Sequence, residues 1–345
     1  MSVITVIGAG VMGSAMSFPG RDNNHTIRLA GTPLDREIIE HCARTNYHLN
    51  LKRHLPEGVE FFQLEDLDAA LKGADIIIGG VSSFGVNWFA DEIIPRLPDN
   101  IPVLSITKGM LNQPDGSLLS YPAYYAKKSP GKRFNAVGGP CTSYELADRD
   151  QTHVCFCGPD MDVLRTLKKA LETSYYHISL TTDIEGLECA VALKNAYALA
   201  VTLAVGMWKK RGGEIHYNSQ AALFGQSVKE MGLLLELFSP GENKNNFIFG
   251  AGDLYVTIYG GRTRQVGTLL GEGRSFEEAM ETLAGVTLES IVIATRTAQA
   301  VRTLIEKKQA KETDFPLLLH VDDLINRGKT VDIPWEAFTI EGCFK

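Results

Sequence analysis

"SVITVIGAGVMGSAM", residues 2–16, sets a β-branched run, Val3 to Ile7, directly against Gly8, Gly10, Gly13 and a helix-compatible tail. This is GxGxxG in strand–turn–helix order. Gly8 permits the tight turn, Gly10 admits a pyrophosphate against the backbone, and Gly13 lets helix and strand pack closely. The first helical residues, Val11 and Met12, offer unpaired N–H groups and the positive end of the helix dipole to that anion. The same spacing also suits a tight turn with no ligand. The strand before it and the helix after it make dinucleotide binding the stronger reading.

Working outward, strands read at 25–31, 74–82, 102–109, 134–140 and 152–158, with helix-length segments such as "PLDREIIEHCART" and "LEDLDAALKG" between several of them. Alternating strands and helices imply right-handed βαβ units. The expectation is a Rossmann-like, doubly wound α/β domain with a mostly parallel sheet over 1–187. Ligands sit outside the carboxyl ends of such strands. Ser82, Lys108 and Cys141 fall at those ends and are cofactor-facing candidates.

Cofactor choice turns on the end of the second strand, where NAD-specific folds place an acidic residue about 20 positions past the glycines. Here the strand tip reads Ala30, Gly31, Thr32, and Asp35 and Arg36 come only in the next turn. Without a carboxylate at the tip nothing repels a 2'-phosphate. NADP is therefore tolerated or preferred alongside NAD, with Arg36 or Arg28 as its cation, although each also reads as an ordinary surface charge.

The texture changes near Thr182 to long helical patterns at 184–210, 218–238, 264–285, 287–307 and 315–328. These form an all-α C-terminal domain, 188–345. The run 189–208 approaches membrane-span length, yet Lys194 and Asn195 interrupt it, which favours a buried central helix. Lys194 either snorkels along the core to water or lines a cleft. The second reading suits a helix with so little polar surface within a turn.

"GAGDLYVTIYGGRTR", 250–264, reads as a glycine loop delivering Asp253 to a helix start, where its structural role would be an N-cap. Thr257 follows one turn later. Gly260 and Gly261 end that short helix, and Arg262, Thr263 and Arg264 come next. An acid, a hydroxyl and a guanidinium from one compact unit suit a phosphorylated hydroxy or keto compound.

Composition limits the partners. The chain has 345 residues, 44% hydrophobic, with a formal net charge of −7. That charge argues against nucleic acid and anionic membranes, which call for a basic surface. The first residues lack a signal-peptide pattern, and six cysteines without a disulfide-like spacing suit reduced, structural thiols in a cytoplasmic setting. The eight histidines show no metal-ligand spacing.

Taken together the chain resembles the NAD(P)-dependent glycerol-3-phosphate dehydrogenases. The likeness spans nearly the whole length: "GAGVMGSAM", "SITKG" ending at Gly109, "GGP" at 138–140, "ALKNAYALA" at 192–200 and "GAGDLYVTIYGGRTR". The resemblance implies that Lys194 is the catalytic acid/base, with Lys108 and Asp253 beside it. It places Asn195 and Thr257 around the substrate and Arg262 on its phosphate, with Thr263 adjacent. Gly8, Gly10, Val11, Met12, Gly13, Ser82, Lys108, Cys141, Arg262 and Glu289 are implied to face the cofactor. Three motifs depart from the family: Thr263 replaces an asparagine, "GPCTS" at 139–143 replaces "GPSFA", and "ESIVIA" at 289–294 keeps only Glu289 and Ala294 of "EGxxTA".

The implied reaction is reversible NAD(P)H-dependent reduction of dihydroxyacetone phosphate to glycerol 3-phosphate, by a homodimer. Carbohydrate and glycerophospholipid metabolism would be its setting. A related enzyme acting on another phosphorylated ketose or polyol is the alternative, since Thr263 lies in the phosphate motif. A nucleotide-sensing regulator without turnover is a third reading, and Lys194, Lys108 and Asp253 argue against it.

Overall fold

The computed structural model describes residues 1–345 apart from 114, 116, 215, 240–245, 285–287 and 341–345, and apart from the side chains of 112 and 289. The chain divides into two compact units, Met1–Gly109 with Ser120–Glu188, and Met110–Leu119 with Cys189–Lys345.

The first unit is built on eight strands: β1 (Val3–Ile7), β2 (Thr26–Ala30), β3 (Val59–Phe62), β4 (Ile76–Gly79), β5 (Val103–Ser105), β6 (Phe134–Gly138), β7 (Thr152–Cys157) and β8 (Tyr176–Thr181). Their order is β8-β7-β6-β5-β4-β1-β2-β3. All neighbours are parallel except β6 and β7. The six strands β6-β5-β4-β1-β2-β3 have the dinucleotide-binding order, whose reversal point lies beside β1. Strands buried on both faces read as continuous apolar runs. β4 and β6 are buried at every position.

The helices that matter for the site are α1 (Val11–Ala15), α2 (Arg36–Thr45), α3 (Tyr121–Lys128) and α4 (Met161–Leu171) in the first unit. The next, α5 (Ile184–Lys210), begins in the first unit and continues in the second. The second unit adds α6 (Tyr217–Phe238), α7 (Asn246–Thr257), α8 (Gly261–Gly271), α9 (Phe276–Thr282), α10 (Glu289–Glu306) and α11 (Pro316–Asn326). The segment Met110–Leu119, which includes the strand Met110–Asn112, also belongs to it. Arg296 of α10 donates to the Met110 carbonyl at 3.1 Å.

α5 is long and apolar enough to cross a membrane, but 89% of its most apolar window is buried inside the protein. It is the axis of the second unit's core, where Leu193, Tyr197, Val201 and Leu223 are wholly or almost wholly buried. Glycines let its neighbours approach to backbone contact. A Cβ on Gly267 of α8 would stand 2.1 Å from the Thr202 hydroxyl, and one on Gly271 would stand 2.1 Å from the Leu203 carbonyl. Behind α5, the buried Glu230 carboxylate accepts from the Leu317 and Leu318 amides at 2.8 and 2.9 Å, so α6 caps the start of α11. Tyr197 of α5 donates to the same carboxylate at 3.0 Å.

One expected helix, 264–285, is two. α8 ends at Gly271, Gly273 takes φ +98°, and Ser275 opens α9 with a capping box to Glu278. β3 and β8 go unread in the sequence because both are only partly buried and carry polar or charged positions, and β3 is four residues long.

Candidate active site

In the first unit the glycine turn is a preformed cradle. Gly8 takes φ +114°, and a Cβ there would stand 2.5 Å from the Gly80 carbonyl oxygen. A Cβ on Gly13 would stand 2.1 Å from the Gly8 oxygen, whereas one on Gly10 would meet nothing within 4 Å. Two glycines are therefore required by packing, and the third faces open space at the N-cap of α1, where a side chain would occupy the room a pyrophosphate needs. Val11 and Met12 are partly exposed beside it. This arrangement fits a dinucleotide.

The turn is held from both sides through Ala9. Its N–H donates to Asp35 Oδ2 at 3.0 Å, and its carbonyl accepts from His48 Nε2 at 2.8 Å. Leu51 N–H donates to His48 Nδ1 at 3.0 Å, which leaves Nε2 as the protonated nitrogen. Asp35 Oδ2 also accepts from the Thr32 amide and hydroxyl at 2.9 and 2.7 Å. The acid nearest the second strand thus turns inward to brace the cradle. Neither bracing residue is marked by any motif.

Of the two arginines expected at a 2'-phosphate, Arg28 is committed elsewhere. It donates to Glu60 at 3.1 Å and to the Lys72 and Ala70 carbonyls at 2.6 and 3.2 Å. Arg36 opens α2 at the surface, paired with Glu65, both side chains more than half exposed.

Lys108 lies just past β5 and donates to the Gly139 carbonyl at 2.9 Å. Gly109 takes φ +149°, and a Cβ there would stand 2.5 Å from the Tyr121 hydroxyl, so the tyrosine's bulk excludes a side chain at this position. Ser82 is exposed at the turn after β4, and Cys141 is half-buried. None of the described cysteines, Cys141 included, is in a disulfide. Burial pushes the Cys155 thiol up to about 12, so it is inert at neutral pH. Cys343 lies outside the described residues.

In the second unit Lys194 Nζ donates to Asp253 Oδ1 at 2.6 Å. The side chains are 14% and 1% exposed, so the carboxylate is sealed and the amine keeps an opening. Val191, Ala198 and Val201 on the same helix face are fully buried. An ion pair in such surroundings is costly unless both charges are matched, and the pair holds the Lys194 amine in a fixed position at the opening.

Asp253 differs from the sequence expectation in its place. It sits inside α7, and the Gly250-Ala251-Gly252 stretch is helix, not loop. Gly250 serves helix packing: a Cβ there would stand 2.5 Å from the Ala190 carbonyl oxygen on α5. That close approach brings Asp253, three residues on, to Lys194. Thr257 bonds its hydroxyl to the Asp253 carbonyl at 2.7 Å, which orients it one turn further along. Asn195 is partly exposed beside Lys194.

Gly260 and Gly261 begin α8 rather than end α7, so Arg262 and Thr263 occupy the first turn of an 11-residue helix. Arg262 is exposed and Thr263 partly so. Arg264 is tied to the Ile258 carbonyl at 2.7 Å. A guanidinium beside helix N–H groups suits a phosphate. Glu289 opens α10, and its side chain lies outside the described set. Among the described residues no cluster of three or more His, Cys, Asp or Glu is placed to hold a metal ion.

Residues 3–164 match the model of the NAD-dependent glycerol-3-phosphate dehydrogenase N-terminus, and 183–336 match that of the C-terminus. An NADP(+)-dependent glycerol-3-phosphate dehydrogenase of Archaeoglobus fulgidus is 35% identical over 335 residues, 96% of this chain and 97% of that protein. A glycerol-3-phosphate dehydrogenase [NAD(P)+] of Koribacter versatilis is 28% identical, covering 96% of this chain and 94% of that protein. In fold, the chain is similar to glycerol-3-phosphate dehydrogenase structures from Plasmodium falciparum (TM-score 0.80, 17% identity, 100% and 97% of the two chains) and Coxiella burnetii (TM-score 0.77, 22%, 98% and 97%). With the glycine cradle in the first unit and the Lys194–Asp253 pair in the second, these matches make the chain a member of the NAD-dependent glycerol-3-phosphate dehydrogenase family.

Proposed function

We infer that the protein catalyses the reversible NAD(P)H-dependent reduction of dihydroxyacetone phosphate to glycerol 3-phosphate, with Lys194 as its acid/base. The observation that carries the assignment of Lys194 is its 2.6 Å pair with the sealed Asp253. The cofactor, when bound, supplies the hydride to the substrate's carbonyl carbon. Gly8, Gly10 and Gly13 with the start of α1 hold its pyrophosphate. The carbonyl oxygen takes a proton from the Lys194 ammonium, and the lysine, left neutral, is reprotonated from solvent. In the reverse direction the neutral amine removes the hydroxyl proton. Asp253 orients the amine and balances its charge, which is the preorganised electrostatics such a step needs.

Arg262 and the first turn of α8 take the substrate phosphate, with Thr263 adding a hydroxyl in place of the family's asparagine. Lys108, pinned on Gly139, contributes a second cation, and Asn195 and Thr257 add polar contacts. NADP is accepted as well as NAD: the Asp35 carboxylate is consumed by Ala9 and Thr32, and Arg36 stands at the neighbouring surface. A cytoplasmic homodimer is the assembly we assign. Exposed apolar side chains support the dimer: Ile248 and Tyr255, 58% and 54% exposed, fall on one face of α7 by helical spacing, and Tyr259, 59% exposed just past its end, sets its ring 5.1 Å from that of Tyr255.

Initial rates with dihydroxyacetone phosphate, with NADH and NADPH compared by nicotinamide absorbance, test the assignment. Turnover with at least one cofactor is expected. Cofactor binding without turnover would refute it.

A further inference from the structure

Residues 46–55, between α2 and β3, form a closed loop on the first unit. Asn46, the left-handed C-cap of α2, shuts its neck: its side-chain amide donates to the Leu55 carbonyl at 2.6 Å, and the Leu55 N–H donates back to the Asn46 carbonyl at 2.8 Å. Inside the loop, the two-residue strands Tyr47–His48 and Arg53–His54 pair antiparallel. Leu51 and Leu55 are buried in the same core as Ala9 and Leu146.

The loop reaches two segments that flank a dinucleotide site. At one end His48, wholly buried, donates through Nε2 to the Ala9 carbonyl at 2.8 Å and accepts the Leu51 N–H on Nδ1 at 3.0 Å. At the other, Arg53 makes a two-pronged pair with Asp148, Nε to Oδ1 at 2.6 Å and Nη2 to Oδ2 at 2.7 Å. The Tyr144 hydroxyl adds a bond to the Asn50 carbonyl at 3.3 Å. Tyr144 and Asp148 belong to the helix Ser143–Ala147 and its C-cap, just past the turn that follows β6. The glycine cradle follows the carboxyl end of β1 in the same way, so both segments lie where a doubly wound sheet binds its ligand.

His48 has no exposed surface, so its effect on a ligand runs through the backbone. A trans peptide sets its C=O and N–H in opposite directions, and none of the described peptides is cis. Holding the Ala9 carbonyl toward His48 therefore aims the Gly10 N–H the opposite way. Gly10 is the N-cap of α1, and an added Cβ there would meet nothing within 4 Å. Asp35 takes the Ala9 N–H at 3.0 Å, which fixes the peptide group on the other side of Ala9 as well.

We propose that loop 46–55 is a clasp for the cofactor groove, with His48 as a positioning residue that aims the Gly10 N–H at the pyrophosphate of the nicotinamide dinucleotide. The Arg53–Asp148 pair ties that setting to the segment after β6. This rests on the glycine turn being the pyrophosphate cradle.

Cofactor binding to two His48 variants, followed by nicotinamide fluorescence alongside steady-state rates, is the test. Leucine fills the space without donating, whereas a glutamine amide still donates to Ala9. His48→Leu should bind NADH and NADPH about tenfold more weakly, the scale of one buried hydrogen bond. KM should rise alike for both cofactors, with kcat at saturating cofactor kept. His48→Gln should recover most of that loss. Wild-type affinity in His48→Leu, even with lowered stability, overturns the proposal, and so does a His48→Gln variant as weak as His48→Leu. Should both variants fail to fold, Arg53→Ala at the loop's surface decides. KM for both cofactors raised by roughly two- to fivefold supports the clasp, and an unchanged KM overturns it. Gly10→Val separates the two layers. If it binds cofactor like the wild type, the cradle reading itself fails; if it abolishes binding while His48→Leu keeps wild-type affinity, the clasp alone fails.

Discussion

Gly250→Ala tests how the site is built. A Cβ at Gly250 would lie 2.5 Å from the Ala190 oxygen and 2.9 Å from its carbonyl carbon, both backbone atoms of α5. Reaching ordinary contact at roughly 3.5 Å requires α7 and α5 to part by about 1 Å. Asp253, three residues along α7, moves with it and stretches the 2.6 Å pair with Lys194. A misplacement of about 1 Å costs on the order of 100-fold in rate. Helix propensity argues the opposite way, since alanine exceeds glycine by up to about 1 kcal/mol inside a helix. Overpacking costs roughly 1–3 kcal/mol, so stability should fall or barely change while activity drops steeply. Gly225→Ala on α6, where an added Cβ meets nothing within 4 Å, is the control. It should gain roughly 0.5–1 kcal/mol and keep full activity. Urea unfolding and initial rates on both variants decide. A Gly250→Ala enzyme as stable and as active as the Gly225→Ala control would refute the packing argument.

Other consequences follow from the same structure. Arg262→Ala should raise KM for dihydroxyacetone phosphate by about 30- to 1,000-fold, from a charged contact of about 2–4 kcal/mol, with the cofactor KM little changed in steady-state assays. Asp35→Ala frees the Ala9 amide, so KM for NADH and NADPH should rise together, by roughly tenfold for the loss of about 1.4 kcal/mol of bracing. A change confined to one cofactor would instead make Asp35 a ribose ligand. Burial lifts Glu230 from 4.5 to about 7 against four hydrogen-bond donors. The folded state then holds an extra proton between those values, so stability is greatest below about 4.5 and declines through about 7, by on the order of 3 kcal/mol from this group. Urea titrations across that range should show the decline in the wild type and not in Glu230→Gln.

The parts of this protein legible in its sequence are those where a local rule and the fold agree. The β-branched run before Gly8 and the glycine spacing state the cradle outright, and the apolar length of α5 with Lys194 in it states that a charge is buried for a reason. Asp253 could be named but not placed. Glycines at 250 and 252 read as a loop because their local propensity opposes helix, while the role of Gly250 is to admit a second backbone, which only the packed pair of helices reveals. Asp35 illustrates the reverse failure. Its position after the second strand suggested an acid missing from its usual task, and the structure shows it turned inward to a backbone amide 26 residues away in sequence.

Lys194→Ala most directly tests the central claim that Lys194 is the acid/base of dihydroxyacetone phosphate reduction. Loss of a positioned general acid lowers turnover by roughly 10²- to 10⁴-fold. The variant, confirmed folded and able to bind cofactor, should show kcat reduced to that extent; a variant retaining more than about a tenth of wild-type kcat, well above that range, would contradict the account.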